Sequence, residues 1–262
     1  MIRIASVGDG NIDVYKSLGK CYAGGNAVNV AVDLKRLGVE SSFIGAIGTD
    51  DYGKLILETL KNEGVDSSHV QIIPGVTANT QVEFNGNDRV LGDYEEGVMG
   101  IYKLNDSDIA FLSDFDLVHS AIWGCVHTDL HKVRENGTEV SFDFADKLEG
   151  NEITDYMIKN CDYAIFSYEK DDEYIREYLK KMHEFGPKIT LATLGANGSI
   201  CYDGNEYITC GVEEVKVVDT MGAGDSYIAG FISGIALGLD IKDAMIRGTK
   251  SAKRTLEIFG GF

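Results

Sequence analysis

Short apolar runs alternate with amphipathic helical runs along most of this 262-residue chain. The apolar runs predict strands over residues 3–7, 42–47, 117–120, 139–142, 163–166 and 189–193. The amphipathic runs predict helices over residues 27–37, 52–62, 106–112, 128–135, 172–185, 223–237 and 241–258. Such alternation is typical of βαβ units and predicts an α/β fold of three layers, with helices on both faces of a mainly parallel sheet. Ligands are expected at the carboxyl ends of those strands.

Two stretches, residues 10–23 and 76–99, depart from this alternation. Both are polar and turn-rich, and Asn85-Gly86 lies between weakly alternating runs, which is a hairpin signal. They are predicted to form a small β-flap, or lid, outside the main sheet. Because the sequence shows no repeat, low-complexity segment or interdomain linker, residues 1–262 are expected to form one domain.

Composition excludes several classes of partner. A formal net charge of -18 disfavours binding to nucleic acid or to an anionic membrane. No apolar run approaches the roughly 20 residues of a membrane span, and residues 1–8 read as a strand and not as a signal peptide. Five scattered cysteines without a CxxC pair favour free thiols in a reducing cytoplasm.

Residues 219–225, Asp-Thr-Met-Gly-Ala-Gly-Asp, open an amphipathic helix. The free N–H groups of its first turn form a site for an anion such as a phosphoryl group. Asp225 would repel that anion unless it takes a proton from an attacking hydroxyl. The segment therefore indicates a phosphoryl-transfer centre with its own base, although a glycine turn with a capping acid would look the same.

A second glycine motif lies near the N-terminus, where Gly24 and Gly25 precede Asn26 and Asn29. The two asparagines are three residues apart and share a helix face, and their amides suit sugar hydroxyls. Asp13 could accept hydrogen bonds from the same hydroxyls. Taken alone, Asn26 would be read as a helix cap and Asp13 as a turn residue.

Together, residues 24–38, 45–53 and 219–225 resemble the two signatures of the ribokinase (PfkB) family of carbohydrate kinases, in the family's order. The resemblance covers nearly the whole chain. It implies a ribokinase-like fold and ATP-dependent phosphorylation of a sugar hydroxyl, with Mg²⁺. For phosphoryl transfer, the resemblance implies Asp225 as base and an anion hole formed by Gly222, Ala223 and Gly224. It implies sugar ligands at Asp13, Gly24, Gly25 and Asn29, and nucleotide ligands at Thr193, Gly195 and Gly198. It also implies a site for a monovalent cation such as K⁺ at Asp219 and Thr220.

The flap carries a finer resemblance. Residues 75–78, 80–83, 87–90, 92–99 and 121–124 are most similar to those of family members that act on fructoselysine, a sugar–lysine adduct, at its 6-hydroxyl. This resemblance implies substrate contacts for Arg89, Glu95 and Glu96, and a homodimer joined through the flap. Glu95 and Glu96, with Asp93, could offset the charge of the substrate's amine, or they could form a plain exposed charged turn. Another ketose, Amadori compound or nucleoside stays open as acceptor. A sugar- or nucleotide-sensing protein without turnover is the alternative of a different class, but a pure binder would not need Asp225 as a base.

One family motif is incomplete. The family carries N-x-x-E after the strand that ends near Phe166, where it helps to place magnesium and phosphate. Here Ser167 and Lys170 occupy the two motif positions, and either Glu169 or Asp171 could take the place of the missing acid.

Three other signals point to ordinary structure. Residues 48–55 resemble a P-loop but end on Leu55 where a hydroxyl is needed, so a strand–helix turn is predicted. His127 and His131 have the i, i+4 spacing of zinc ligands without a third ligand motif, which favours a solvated helix face. Trp123 is read either as core or as a residue stacked on a ligand.

Overall fold

The structure is a computed structural model that describes residues 2–85 and 88–262; the side chains of residues 84–91 lie outside the description. Thirteen strands occur in the described ranges: β1 (Arg3–Asp9), β2 (Asn11–Tyr15), β3 (Lys20–Gly24), β4 (Glu40–Gly48), β5 (Gln71–Ile73), β6 (Ala78–Asn85), β7 (Asp88–Glu95), β8 (Leu117–Ala121), β9 (Glu139–Asp143), β10 (Tyr163–Ser167), β11 (Ile189–Thr193), β12 (Ser199–Tyr202) and β13 (Tyr207–Cys210). Eight α-helices occur in the same ranges: α1 (Asn26–Arg36), α2 (Asp51–Glu63), α3 (Asp106–Leu112), α4 (His127–Glu135), α5 (Glu152–Met157), α6 (Glu173–His183), α7 (Ala223–Ala236) and α8 (Ile241–Leu256). No helix in this part of the chain is long and apolar enough to cross a membrane.

The main sheet of the described chain has nine strands in the order β13-β12-β11-β10-β9-β8-β1-β4-β5. All pairings from β11 to β5 are parallel, whereas β12 and β13 add an antiparallel hairpin at one edge. Each predicted strand and helix is confirmed to within two residues at either end. Prediction missed β5, which has three residues, β12 and β13, which have four each, and α5, whose six residues make fewer than two helical turns.

The strands bury both faces, which confirms the three-layer arrangement. In β1, Ala5 and Val7 pack with the cluster that contains α3, α4 and α6, whereas Ile4 packs with Val30 and Leu34 of α1. Because successive strand residues point to opposite faces, one short apolar strand supports helices on both sides.

The flap is a separate four-stranded sheet, in the order β3-β2-β6-β7, which confirms the predicted lid. Its register places Asp13, Thr80 and Tyr94 in one cross-strand row. Asn79 and Glu95 lie in the next row. Because neighbouring rows project to opposite faces of a sheet, Asp13 and Glu95 lie on opposite faces of the flap.

The segment that resembles a P-loop is a strand–helix turn, as predicted. Asp50 is the N-cap of α2, and its carboxylate accepts a hydrogen bond from the Gly53 N–H at 2.9 Å. The same carboxylate accepts from the backbone N–H of Thr77 at 3.0 Å, directly before the flap strand β6. Asp50 therefore joins the flap to the main domain and does not face a phosphate.

Candidate active site

The carboxyl ends of the central strands carry buried acids. Asp9 is the last residue of β1 and Asp143 the last residue of β9, and they are 9% and 8% exposed. The N-termini of α1 and α7 meet at this edge of the sheet, so Asn26 and Asp225 lie beside these acids. The two glycine motifs, 200 residues apart in the chain, thereby form one site.

Asp225 is held between two amides from α1. The Nδ2 group of Asn26 donates to its Oδ1 at 2.8 Å, and the Nδ2 group of Asn29 donates to its Oδ2 at 2.7 Å. Each carboxylate oxygen keeps a further lone pair that can accept a substrate proton. The two amides therefore orient the carboxylate of Asp225 and leave a lone pair on each of its oxygens available to the substrate.

The N-terminal glycines permit close approach to two acids. Gly25 has a φ of 94°, and a Cβ there would lie 2.9 Å from the Asp9 carboxylate, which caps α1 by accepting from the Asn26 N–H at 3.0 Å. A Cβ on Gly24 would lie 2.5 Å from Oδ2 of Asp13. Asp13 itself is 4% exposed. A side chain at Gly25 would therefore displace Asp9, and one at Gly24 would displace Asp13 of the predicted sugar site.

The turn before α7 leaves space for an anion. Gly222 has a φ of 70° and is the N-cap of α7 without a side-chain cap, so the helix N-terminus stays open. A Cβ on Gly222 would collide with the backbone of Gly261, whereas a Cβ on Gly224 would meet no described atom within 4 Å. Gly222 is thus required by the protein's own packing, and Gly224 borders open space.

Asp219 stabilises this turn. Its Oδ1 accepts from the Met221 N–H at 2.6 Å, and its Oδ2 accepts from the Gly260 N–H at 3.0 Å. The carboxylate therefore ties the turn to the C-terminal segment of the chain. These bonds assign Asp219 a structural function, and a cation site with Thr220 stays a prediction.

The site's electrostatics favour a proton acceptor. Burial raises the pKa of Asp9, and burial together with the charge of Asp9 raises the pKa of Asp143 to about 6. Desolvation raises the pKa of Asp225 well above its usual value, and the charges of Asp143, Asp9 and Asp33 add to this effect. A carboxylate with a raised pKa is a stronger base, which suits proton abstraction near neutral pH.

A cavity of about 580 Å³ lies on the other side of the α7 turn. It is lined by the predicted nucleotide residues Thr193, Gly195 and Gly198 and by the turn residues Ala223 and Gly224. Sequence reasoning missed the rest of its lining, which includes Val212, Val217, Tyr227, Thr249, Lys253 and Leu256. These residues lie outside any glycine motif, and their periodicity indicates only a helix face or a loop.

The flap glutamates are placed differently from each other. Glu95 accepts from Nδ2 of Asn79 at 2.9 Å, on the face away from Asp13. Tyr94, in the row of Asp13, has its pKa raised to about 12 by burial, by the charge of Asp9, and then by Cys125 and Glu96. Glu96 lies just after β7, at the start of a 3₁₀ turn over Gly97–Ile101. The side chain of Arg89 lies outside the described residues.

Two acids, Glu169 and Asp171, could take the place of the glutamate that the N-x-x-E motif lacks in this chain. Asp171 is held by Arg176 at 2.6 and 2.7 Å. The backbone carbonyl of Glu169 accepts from Asn197 of the nucleotide turn at 2.7 Å, so Glu169 lies beside that turn. Asp171 is thus engaged in an ion pair, and which acid takes the place of the missing one stays a prediction.

Sequence reasoning missed Asp9, Asp143 and His119. The first two follow strands at the carboxyl edge of the sheet, and that rule could have identified both. His119 lies inside β8 and is fully buried, so no sequence signal marks it. The described residues contain no group of three His, Cys, Asp or Glu side chains placed to hold a metal ion, and Nδ1 of His131 lies 3.1 Å from the hydroxyl of Tyr156. Trp123 is 53% exposed, which excludes the core interpretation.

Comparisons with known proteins agree with this geometry. The model of the pfkB family of carbohydrate kinases matches residues 2–260. The chain is 42% identical to fructoselysine 6-kinase of Shigella flexneri and 41% identical to that of Escherichia coli K12, over the full length of each protein. Ribokinase of Arabidopsis thaliana, solved with ribose and ATP, has the same fold, with a TM-score of 0.84 at 20% identity over 99% of this chain and 93% of that one. The chain belongs to the pfkB family of carbohydrate kinases and has its ribokinase-like fold.

Proposed function

We propose that this protein uses ATP to phosphorylate the 6-hydroxyl of fructoselysine. The observation that carries the proposal is the position of the Asp225 carboxylate. It is oriented by Asn26 and Asn29, and the turn that precedes it borders the nucleotide cavity. Full-length identity of 41–42% to two fructoselysine 6-kinases supports the choice of acceptor.

Asp225 acts as the general base. The substrate oxygen forms a bond to the γ-phosphorus of ATP, the bond from that phosphorus to the β-bridging oxygen breaks, and the hydroxyl proton moves to Asp225. The products are the 6-phosphate and ADP. The raised pKa of Asp225, caused mainly by desolvation, makes the carboxylate a competent acceptor for that proton.

The Gly222–Gly224 backbone supplies the anion hole. Its N–H groups begin a helix with no side-chain cap, so they and the helix dipole can stabilise the transferred phosphoryl group. Asp13, Gly24, Gly25 and Asn29 would hold the sugar.

Magnesium is proposed to bind beside the nucleotide turn. When bound, Mg²⁺ neutralises charge on the ATP phosphates. Glu169 would hold it, since its backbone is fixed to Asn197 of the nucleotide turn. A monovalent cation such as K⁺ would bind beside Asp219 and Thr220, where Asp219 already organises the turn.

The flap would select the substrate's cationic part. Of the two flap glutamates, Glu96 is proposed to meet an ammonium group, because its charge acts on Tyr94 together with that of Asp9, whereas Glu95 already contacts Asn79. Arg89 and a homodimer joined through the flap complete the proposal. The five free cysteines support a cytoplasmic enzyme.

The test is ATP consumption across fructoselysine, fructose, ribose, tagatose and inosine, with the position of the new phosphate read by NMR. The proposal requires the highest kcat/KM for fructoselysine and phosphate on its C6 oxygen. A higher value for another sugar would assign a different acceptor to the same machinery. No turnover of any acceptor would instead favour a sensing protein.

A further inference from the structure

The amide of Asn26 joins three side chains of the active site. Its Nδ2 group donates to Oδ1 of Asp225 at 2.8 Å and to Oδ2 of Asp143 at 3.1 Å, which uses both amide hydrogens. Its Oδ1 lies 3.2 Å from Nε2 of His119. Asn26 is 8% exposed, so water does not substitute freely for these partners.

His119 reaches the site from beneath. It lies in β8 with no exposed surface, and its Nδ1 is 3.1 Å from Oγ of Ser141 in β9. Burial lowers the pKa of His119 to about 3, so the imidazole is neutral and has a single ring N–H.

The contacts determine which nitrogen carries that hydrogen. Oδ1 of Asn26 can only accept, so Nε2 of His119 must be the donor. Nδ1 then accepts from the hydroxyl of Ser141. The chain of donors therefore runs from Ser141 through His119 and Asn26 to Asp225.

We propose that His119 is a positioning residue for the catalytic base: its Nε2–H holds the Asn26 amide in the orientation in which Nδ2 donates to Asp225. A reversed amide would point its oxygen at the carboxylates of Asp143 and Asp225 and repel both. This inference rests on the proposed function, in which Asp225 accepts the substrate proton.

Several groups surround Asp225. The acids are Asp143 from β9, Asp9 from β1 and Asp33 from α1, and each makes ionisation of Asp225 less favourable. Asn29 from α1 donates to Oδ2 and opposes that effect, as the amide of Asn26 does at Oδ1. Losing the Asn26 donor should leave Asp225 protonated to higher pH, and the acid limb of kcat should move upwards.

The experiment compares His119→Asn with His119→Gln. The amide nitrogen of glutamine can occupy the place of Nε2 and donate to Asn26, whereas asparagine reaches only the place of Nδ1. We expect His119→Asn to lower kcat about tenfold and to move its acid limb to higher pH, with the KM for ATP unchanged. His119→Gln should recover most of both effects. Equal losses in the two variants without movement of the acid limb would reduce His119 to a packing residue and overturn the proposal.

Two NMR measurements need no turnover. ¹⁵N spectra of the free enzyme should show His119 protonated at Nε2 and not at Nδ1, and an Nδ1–H tautomer would overturn the proposal. ¹³C titration of Asp225, assigned by loss of its signal in Asp225→Asn, should give a higher pKa in His119→Asn than in the wild type. An unmoved pKa would also overturn it. These results stand even if fructoselysine is not the acceptor, so the two proposals can fail separately.

Ser141→Ala provides a milder variant if His119→Asn does not fold. It removes the hydroxyl that fixes the tautomer of His119 and leaves the ring in place. The acid limb and the Asp225 titration should move in the same direction by a smaller amount. The mechanism would be contradicted if Ser141→Ala folds and populates the Nδ1–H tautomer of His119 but leaves the pKa of Asp225 unchanged.

Discussion

Replacing Asp225 by asparagine should remove the base and leave the site assembled. The new amide nitrogen must face one of two amide donors, Asn26 at 2.8 Å or Asn29 at 2.7 Å. Oδ1 of Asn29 is buried and has no hydrogen-bond partner among the described residues. A rotation of the Asn29 amide by half a turn therefore lets it accept from the new side chain, so the variant should fold.

The expected loss follows from the missing proton acceptor. A positioned base contributes about 10²–10⁴-fold to a rate, so kcat of Asp225→Asn should fall at least about 10²-fold, or about 2.7 kcal/mol. ATP affinity should be kept, because Gly224 and Tyr227 line the nucleotide cavity beyond the turn. A loss in kcat without a loss in ATP binding is the signature of a group that acts on the sugar hydroxyl.

A coupled assay for ADP release measures kcat, and calorimetry measures ATP affinity. Asp33→Asn is the matched control, because it neutralises another buried acid that affects Asp225 from α1. The control should keep kcat within several-fold of the wild type. Turnover by Asp225→Asn within about fivefold of the wild type would refute the base assignment, whereas a parallel loss of ATP affinity would show that the substitution disrupts the fold of the site.

Three further outcomes are expected. Gly224→Val should keep the wild-type Tm but lose turnover, since the valine side chain would enter the open phosphoryl site. Gly222→Ala should instead lower Tm, because its Cβ would meet the C-terminal backbone. Normal activity in Gly224→Val would place the anion hole elsewhere. Glu96→Gln should raise the KM for fructoselysine by about threefold and leave the KM for fructose unchanged. Glu95→Gln should affect the KM values of the two sugars equally. Equal effects of Glu96→Gln on both KM values would contradict a charge contact. Asp33→Asn should stabilise the protein at pH 8 by about 3 kcal/mol, because burial raises the pKa of Asp33 to about 6 and ionising this carboxyl therefore destabilises the folded state. This destabilisation grows from about pH 4 to pH 6, so calorimetry at pH 4 should show no gain in stability. An equal gain at both pH values would exclude a charge effect.

The alternation of short apolar and amphipathic runs was sufficient to predict the layers of the fold. An apolar strand such as β1 must cover both faces, as Ile4 and Val7 do, so helices on both sides follow from local pattern alone. The flap was predictable because its weakly alternating, polar and turn-rich segments differ from the apolar runs of the main sheet. The strand β5 and the helix α5 were missed because three strand residues, or six helical residues, are too few to show their period.

Part of the site was also determined by sequence. Gly25 and Gly222 have positive φ values and contact backbone or carboxylate closely, so glycine is required there and the motifs are visible in the residue order. Asp225 follows one of these motifs directly. Motifs of this kind record local backbone geometry, which a single chain segment determines.

Tertiary structure alone decided which distant groups meet Asp225. Asn26 and His119 are 93 residues apart, and the packing of α1 against β8 brings them within 3.2 Å. The difference between Glu95 and Glu96 likewise depends on the folded chain, because Glu95 is the last residue of β7, paired with Asn79, and Glu96 begins the 3₁₀ turn that follows. A sequence lists which polar groups are present, but the neutral state of His119 and the raised pKa of Asp225 depend on the burial and neighbouring charges that only the folded chain creates.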